Sequence, residues 1–189
     1  MYLQLAKGFG WDAYKKVHAA YYKIAANKSA KNDQQRHDYY CARFSDAVGK
    51  DLGKFFAAWS MPVTKAGCRD KAAKYPPWLK DPMRQWLPYE AEVKIGAASN
   101  VSATGATVGY EVVDPGGKGS VAHVVWGTKD GAKSPGSWAF SKQIGPPKAG
   151  KQTVVIDKLK GGTQYVFRVW IKNAKGSYWT ATAGAFTTK

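Results

Sequence analysis

Histidine and cysteine are the residue types in this sequence whose chemistry includes metal binding and nucleophilic catalysis. The 189-residue chain has three histidines and two cysteines. His18 and His37 each stand alone, because neither belongs to a His-Glu-x-x-His pair and no third ligand lies at a helix-compatible step. We interpret both as packing or surface histidines. The sequence therefore predicts no catalytic residue and no metal ligand in this chain.

Cys41 and Cys68 leave two interpretations open. They could form one disulfide that ties a predicted helix to the segment after Pro62, or they could be two buried free thiols. The sequence does not separate the two.

The stretch from Arg43 to Val63 organises the first half of the chain. Gly49 is a helix stop, Asp51 is an N-cap that opens a short second helix, and Pro62 closes that helix. This pattern predicts a helical hairpin with an aromatic core, because the second helix carries Leu52, Phe55, Phe56 and Trp59.

Two further helices are predicted on either side of position 30. Apolar and aromatic residues between Leu3 and Ile24 recur at three- and four-residue steps, which indicates an amphipathic helix beginning near Gly10. Asn32 or Asp33 is a good N-cap for a helix that ends at Val48. We expect this helical part to leave some of its many tyrosines exposed, with Tyr22 and Tyr40 among them.

The charge is strongly positive and evenly spread. Residues 1–90 hold 16 basic and 8 acidic residues and residues 91–189 hold 13 and 5, so each half carries +8 of the total of +16. Only five of these basic residues are arginines, whereas nucleic-acid modules concentrate their charge and use arginine for bidentate contacts. We expect no nucleic-acid partner, and acidic glycans, anionic envelopes and plain solubility stay open.

No stretch of 18 apolar residues is present, so no membrane span is expected. The first residues lack the charged and apolar regions of a signal peptide, and the chain begins almost inside a helix. We therefore expect an excised piece of a longer protein.

The residue composition and the spacing of apolar residues change near Pro88. Before it, alanine, lysine and aromatic residues recur at helical spacing; after it, valine, threonine, glycine and serine dominate with frequent turn signals. Strands are predicted at 106–113, 121–128, 153–157, 164–172 and 178–188. The predicted fold class is α plus β multidomain, with an all-α bundle at 1–88 and an all-β sandwich at 89–189.

Three ordered motifs in the first part carry a resemblance to a known family. They are FGWDAYKKV at 9–17, RFSDAVGKDL at 43–52 and FFAAWSMPV at 55–63. Together they resemble the C-terminal helical part of enhancin-like, mucin-targeting zinc metallopeptidases. The zinc-binding His-Glu-x-x-His helix of that family has no counterpart here, so the resemblance implies zinc for a parent protein and no cofactor in this chain.

The second part resembles a fibronectin type III domain. The segment from Leu159 to Tyr165 is similar to the entry of that family's sixth strand, where Tyr165 would be the corner tyrosine whose hydroxyl bonds to the preceding loop. The segment 173–177 is similar to the hairpin between the last two strands, and Tyr110 and Trp126 occupy plausible core positions. Gly161 departs from the family, which often has proline there.

Four aromatic residues of the second part are candidates for contact with a glycan or a protein partner. If alternate residues of the strand at 164–172 point inward, then Arg168 and Trp170 point outward. Exposed flat rings beside lysine can stack on sugars or pack against a neighbouring domain. The candidates are Trp138, Trp170, Tyr178 and Trp179.

The sequence thus favours a non-catalytic C-terminal fragment of a secreted or cell-surface bacterial zinc metallopeptidase that degrades mucin glycoproteins. The helical part would support the zinc lobe, which is the missing upstream partner, and the sandwich would be a spacer or attachment module. Whether this chain has any enzymatic activity is left open, and we expect it to be inactive alone. The alternative is a free-standing extracellular adhesion or carbohydrate-binding protein.

Overall fold

Two units make up the computed structural model, which describes residues 1–24 and 29–189. The helical unit is Met1–Leu87 and the β unit is Pro88–Lys189. No helix in the described part of the chain is both long enough and apolar enough to cross a membrane.

The helical unit contains α1 (Tyr2–Phe9), α2 (Trp11–Tyr22), α3 (Asp33–Val48), α4 (Gly53–Ala58) and α5 (Asp70–Ala72). A π-helical turn at Lys65–Arg69 leads directly into α5, and a 3₁₀ turn follows at Pro82–Gln85. The expected helix near Gly10 is present as α2, but α1 before it was missed. Gly10 separates the two because its φ of 76° is a conformation that glycine adopts at little cost.

Both predicted ends of α3 are confirmed by their capping contacts. The side chain of Asn32 accepts a hydrogen bond from the Gln35 N–H at 2.9 Å, which caps α3. Gly49 ends α3 in the left-handed conformation. The Asp51 carboxylate accepts a hydrogen bond from the Gly53 N–H at 2.8 Å, but the N-cap of α4 is Leu52 and not Asp51 as predicted. α4 also ends at Ala58, before Pro62.

The core of the helical unit is built around rings. Phe44 of α3 packs edge-on against Phe56 of α4 at 6.4 Å, and Phe55 lies 5.1 Å from the ring of Trp78. Buried apolar residues from α1, α2, α3 and the segments before and after α4 complete it: Leu5, Ala13, Tyr14, Val17, Cys41, Leu52, Cys68 and Ala72. Trp59, expected in this core, keeps 40% of its surface exposed.

The β unit has eight strands in two antiparallel sheets. One sheet has the order β1-β2-β5, and the other has the order β4-β3-β6-β7, with β8 also paired to β6. The strands are β1 (Glu92–Ser99), β2 (Ala106–Asp114), β3 (Val121–Gly127), β4 (Phe140–Gly145), β5 (Gly150–Ile156), β6 (Gln164–Asn173), β7 (Gly176–Trp179) and β8 (Gly184–Thr187). This confirms the predicted all-β sandwich after the all-α part.

Two strands were missed and one was predicted as a single element where there are two. The register of β1 shifts between Ile95 and Ala98, at a run of small residues that carries no strand signal. The middle of β4 is polar, which reads as a loop. The region 178–188 holds both β7 and β8, because the chain leaves the sheet between Trp179 and Gly184.

The β core lies between the two sheets and contains the expected aromatic residues. Tyr110 and Trp126 are buried, with 5% and 3% of their surface exposed. The Tyr165 hydroxyl accepts a hydrogen bond from the Lys160 N–H at 3.1 Å, which confirms the predicted tyrosine corner. The hairpin between β6 and β7 pairs Asn173 with Gly176, where a hairpin was predicted.

Candidate functional site

A zinc ion needs three or four converging protein ligands. Among residues 1–24 and 29–189, no three His, Cys, Asp or Glu side chains lie close enough to hold a metal ion. The described residues therefore do not fit a zinc site, and we derive no zinc chemistry for this chain.

The structure does bring the two histidines of the helical unit to one place. Both line an open groove of about 410 Å³ whose other walls come from α1, α2 and α3. Three tyrosines and one arginine share this groove, and Met61 lies at its side; the tyrosines and arginine are Tyr2, Tyr21, Tyr40 and Arg36. We call this site the α1–α3 groove.

The phenol rings of Tyr14 and Tyr40 lie close to the ring of Tyr2, at 6.3 and 6.4 Å between ring centres. Tyr14 donates its hydroxyl hydrogen to the Tyr2 carbonyl at 2.7 Å, and burial together with the Tyr2 phenol raises the pKa of Tyr14 to about 12. Burial, followed by the neighbouring phenols, also raises the pKa of Tyr40 far above its usual value. These hydroxyls therefore stay protonated at neutral pH and act as hydrogen-bond donors.

Two arginine side chains, Arg43 and Arg36, bring positive charge near the groove. The Arg43 guanidinium lies 4.5 Å from the ring centre of Tyr21 and 5.0 Å from that of Tyr39. Arg36 is more exposed and pairs with Asp33 at 2.7 Å, with 69% of the Arg36 side chain accessible. An exposed pair of this kind contributes little to stability, so Arg36 can exchange partners readily.

The structure joins Cys41 and Cys68 in a disulfide. Cys41 lies in α3 and Cys68 lies in the π-helical turn, 27 residues further on, and both are fully buried. The bond therefore fixes the segment after α4 against α3.

The candidate aromatic residues of the β unit are not a free platform. Trp170 stacks between His123 at 4.4 Å and Trp179 at 5.0 Å, with interplanar angles of 16° and 9°. The expectation that Trp138 and Trp170 are exposed is wrong: they keep only 8% and 7% of their surface exposed. Trp138 packs beside Trp170 on the outer sheet face. Its indole N–H also donates a hydrogen bond to the Ala132 carbonyl at 3.2 Å.

The remaining two candidates, Tyr178 and Trp179, lie on opposite faces of their sheet. Tyr178 packs against the core between the sheets, whereas Trp179 belongs to the outer cluster with Trp170. Burial, with a smaller contribution from Lys172, lowers the pKa of His123 in that cluster. All four aromatic candidates are thus partly or wholly occupied by contacts inside the β unit.

Arg168 was predicted to point outward; it lies on the same strand face as Val166 and Trp170 of the outer cluster, but it is buried. Its guanidinium makes two hydrogen bonds to Asp130, at 3.0 and 2.8 Å, and a third at 2.9 Å to the Thr180 carbonyl. The Arg168 guanidinium holds the pKa of Asp130 below its usual value. These hydrogen bonds hold the loop after β3 against β6, so we assign Arg168 a structural role.

Sequence reasoning missed the α1–α3 groove, although α2 carried a signal for it. Trp11, Tyr14, His18 and Tyr21 recur at steps of three and four and so form one stripe along the helix. We interpreted Trp11, Tyr14 and Tyr21 as part of an amphipathic helix face, and His18 separately as a packing or surface histidine. In the structure Tyr14 is buried but His18 is exposed, so the polar part of the stripe faces the groove.

The helical unit matches a protein-family model. Residues 1–60 fit the model described as Peptidase M60, enhancin and enhancin-like. Residues 1–60 are therefore similar to the enhancin-like M60 family over part of the helical unit. That match agrees with the motifs at 9–17 and 43–52, which α2 and the α3–α4 hairpin contain.

Several vertebrate proteins are similar to just under half of the chain. A TRPM8 channel-associated factor homolog of Xenopus laevis is 34% identical over 86 residues, which is 46% of this chain. TRPM8 channel-associated factor 2 of Homo sapiens is also 34% identical over 86 residues. The matched region spans 9% of the length of each of these relatives.

Solved structures similar to the chain include fibronectin type III domains. A domain of human collagen XX is 16% identical and covers 54% of this chain and 95% of its own, with a TM-score of 0.37. The sixth fibronectin type III domain of human fibronectin type III domain containing protein 3 is 24% identical. It covers 54% of this chain and 86% of its own, with a TM-score of 0.37. The sensor domain of the anti-sigma factor RsgI4 from Pseudobacteroides cellulosolvens is 22% identical, covers 52% and 89%, and has a TM-score of 0.36.

Proposed function

We propose that this chain is a non-catalytic segment of a zinc-dependent, enhancin-like peptidase that is secreted or cell-surface and degrades mucin-type glycoproteins. The M60 match of residues 1–60 supports the peptidase relationship. The matched region is only 9% of the length of the vertebrate relatives, which supports a role as one part of a larger protein. The ligands of the zinc ion would come from a catalytic lobe outside this chain.

In this proposal the helical unit supports the catalytic lobe through its uncovered apolar side chains. Leu3 and Trp11 keep 69% and 62% of their surface exposed, and Trp86 keeps 63%. Each large apolar side chain left in water forgoes about 1.5–3 kcal/mol of burial. Such a loss is expected of a surface that another lobe covers, and this is the observation that carries the proposal.

The β unit would act as a spacer or attachment module. Its tryptophans are engaged within the unit, where Trp138 and Trp170 are buried, so the proposal assigns it no free sugar-stacking platform. This feature also weighs against the alternative of an adhesion protein that uses those rings.

The test compares this chain alone with a protein that joins it to the catalytic lobe of an enhancin-like peptidase. We expect the joined protein to cleave a mucin glycoprotein, and a chelator to abolish this cleavage. We expect no cleavage by the chain alone. Leu3→Ser with Trp11→Ser should lower cleavage by the joined protein and leave the fold of the isolated chain unchanged. Val155→Ser, at an exposed position of the β unit, is the matched control.

Two outcomes would contradict the proposal. One is stoichiometric zinc, by elemental analysis, together with proteolysis by the chain alone. The other is full activity of the catalytic lobe without the helical unit.

A further inference from the structure

The α1–α3 groove is a concave site on the helical unit to which the supporting role assigns no ligand. We propose that it binds an acidic sugar ring, with Arg36 pairing with the carboxylate and the tyrosine side chains meeting the ring and its hydroxyls. The proposal does not depend on the peptidase relationship, because it rests on the walls of the groove alone.

The charge of the walls selects an anion. None of the described residues that line the groove is acidic, and Arg36 brings a guanidinium whose planar fork matches a carboxylate. Its present partner, Asp33, is itself 81% accessible in its side chain, so a ligand carboxylate can compete for the guanidinium. Arg43, stacked on Tyr21, adds a second positive charge close to the wall.

The polar tips of the walls select a hydroxylated ligand over a purely aromatic one. The three tyrosines each carry a hydroxyl and the two histidines each carry ring nitrogens, while most of the lining surface is apolar and includes Met61. An aryl carboxylate would desolvate these groups without giving them partners, which costs binding free energy. A sugar ring supplies hydroxyls at its edge and C–H groups on its face, which rings such as Tyr2 can cover.

The size of the groove limits the ligand. Its volume of about 410 Å³ lies near the lower end of the range of small-molecule sites, roughly 300–1,000 Å³. This volume suits one or two sugar rings.

The experiment titrates the whole chain with three small probes and follows the ring protons of His18 and His37 by NMR. The probes are D-glucuronate, which has both the carboxylate and the hydroxyls, D-glucose, which lacks the charge, and benzoate, which lacks the hydroxyls. We expect saturable shifts of both histidines with glucuronate and much weaker ones with the other two. Equal binding of glucose, equal binding of benzoate, or no saturable shift with glucuronate would each overturn the proposal.

Two variants test the assigned contacts. Arg36→Gln removes the charge at an exposed position and should weaken glucuronate binding about tenfold, the loss of one charge-assisted pair. Tyr40→Phe keeps the ring contacts with Phe44 and Phe56 and should weaken it about threefold. Lys74→Gln is the matched control, because it removes one charge from an exposed pair with Asp46 outside the groove. A loss of affinity in Lys74→Gln as large as that in Arg36→Gln would mean general charge attraction and would overturn the site.

Discussion

The two units differ in how completely they cover their own apolar side chains. In the β unit, Val155 is the large apolar residue that stays mostly exposed among those described. In the helical unit the described exposed set is much larger: Tyr2, Leu3, Trp11, Tyr22, Trp59, Leu79 and Trp86. Both units nevertheless have a well-buried aromatic core.

The physical reason lies in the architecture of each unit. A sandwich closes its core between two sheets, and in this one a loop carrying Trp138 also covers part of an outer sheet face. α1 and α2 carry apolar residues on more than one face, and the aromatic core covers only part of them, so Leu3 and Trp11 stay exposed. The comparison shows that the β unit covers its own apolar side chains more completely than the helical unit does.

The largest expected effect is the loss of Phe55 from the helical core. Phe55 is 1% exposed and contacts Phe56 and Trp78, so Phe55→Ala should cost the helical unit about 3–5 kcal/mol of unfolding free energy. Denaturant unfolding followed by helical circular dichroism measures it. Phe167→Ala, fully buried in the β unit, is the control and should cost a similar amount there alone. A single shared transition that both variants lower together would break the comparison of two independent units.

Reduction of the disulfide is expected to be the next largest effect. The Cys41–Cys68 bond closes a 27-residue separation, so its loss should destabilise the helical unit by about 3–4 kcal/mol. Thermal unfolding with and without a reductant measures it, and Cys41→Ser with Cys68→Ser is the genetic counterpart. The β unit lies outside the loop and should keep its melting temperature. Unchanged helical melting in both the reduced and the double-variant protein would contradict this prediction.

Acidification should weaken the β unit through His123, by a smaller amount. Since burial lowers the folded pKa of His123 below its unfolded value near 6.5, the unfolded state binds more protons as the pH falls through that value. The stabilisation is therefore present above about pH 6.5 and is lost progressively below it. Unfolding of the β unit at pH 7.5 and pH 5.5, beside His123→Gln, measures this, with the pH values chosen to lie about one unit on either side. If His123→Gln kept the same pH dependence, other groups would be responsible.

The smallest effect is expected at Tyr22, which is 92% exposed. Tyr22→Ser should change the stability of the helical unit by less than about 0.5 kcal/mol, the usual range for surface substitutions. Tyr40 was expected to behave in the same way, but its ring lies 5.7 Å from Phe44 and 5.9 Å from Phe56, so Tyr40→Ser should be destabilising. Thermal unfolding of the two variants side by side checks this contrast. Equal losses at both positions would show that Tyr22 packs as Tyr40 does.

Local signals predicted most elements of both units. The caps at Asn32 and Gly49 and the tyrosine corner at Tyr165 were predicted from residue type and spacing. These features depend on hydrogen bonds between residues a few positions apart, which is why single-sequence patterns indicate them. The strands β1 and β4 lacked such patterns, since their pairing partners rather than their own residues hold them in a sheet.

The sequence by itself determined the fold class, the aromatic core of the α3–α4 hairpin and the inward face of β6. Those features follow from periodicity, which each segment carries alone. The tertiary structure decided what covers the opposite faces. Only the folded chain places Trp138 over the outer sheet beside Trp170, and only it brings His18 and His37 into one groove. Both arrangements are contacts between residues far apart in the chain, and the burial of a side chain depends on such neighbours rather than on its own position in a pattern.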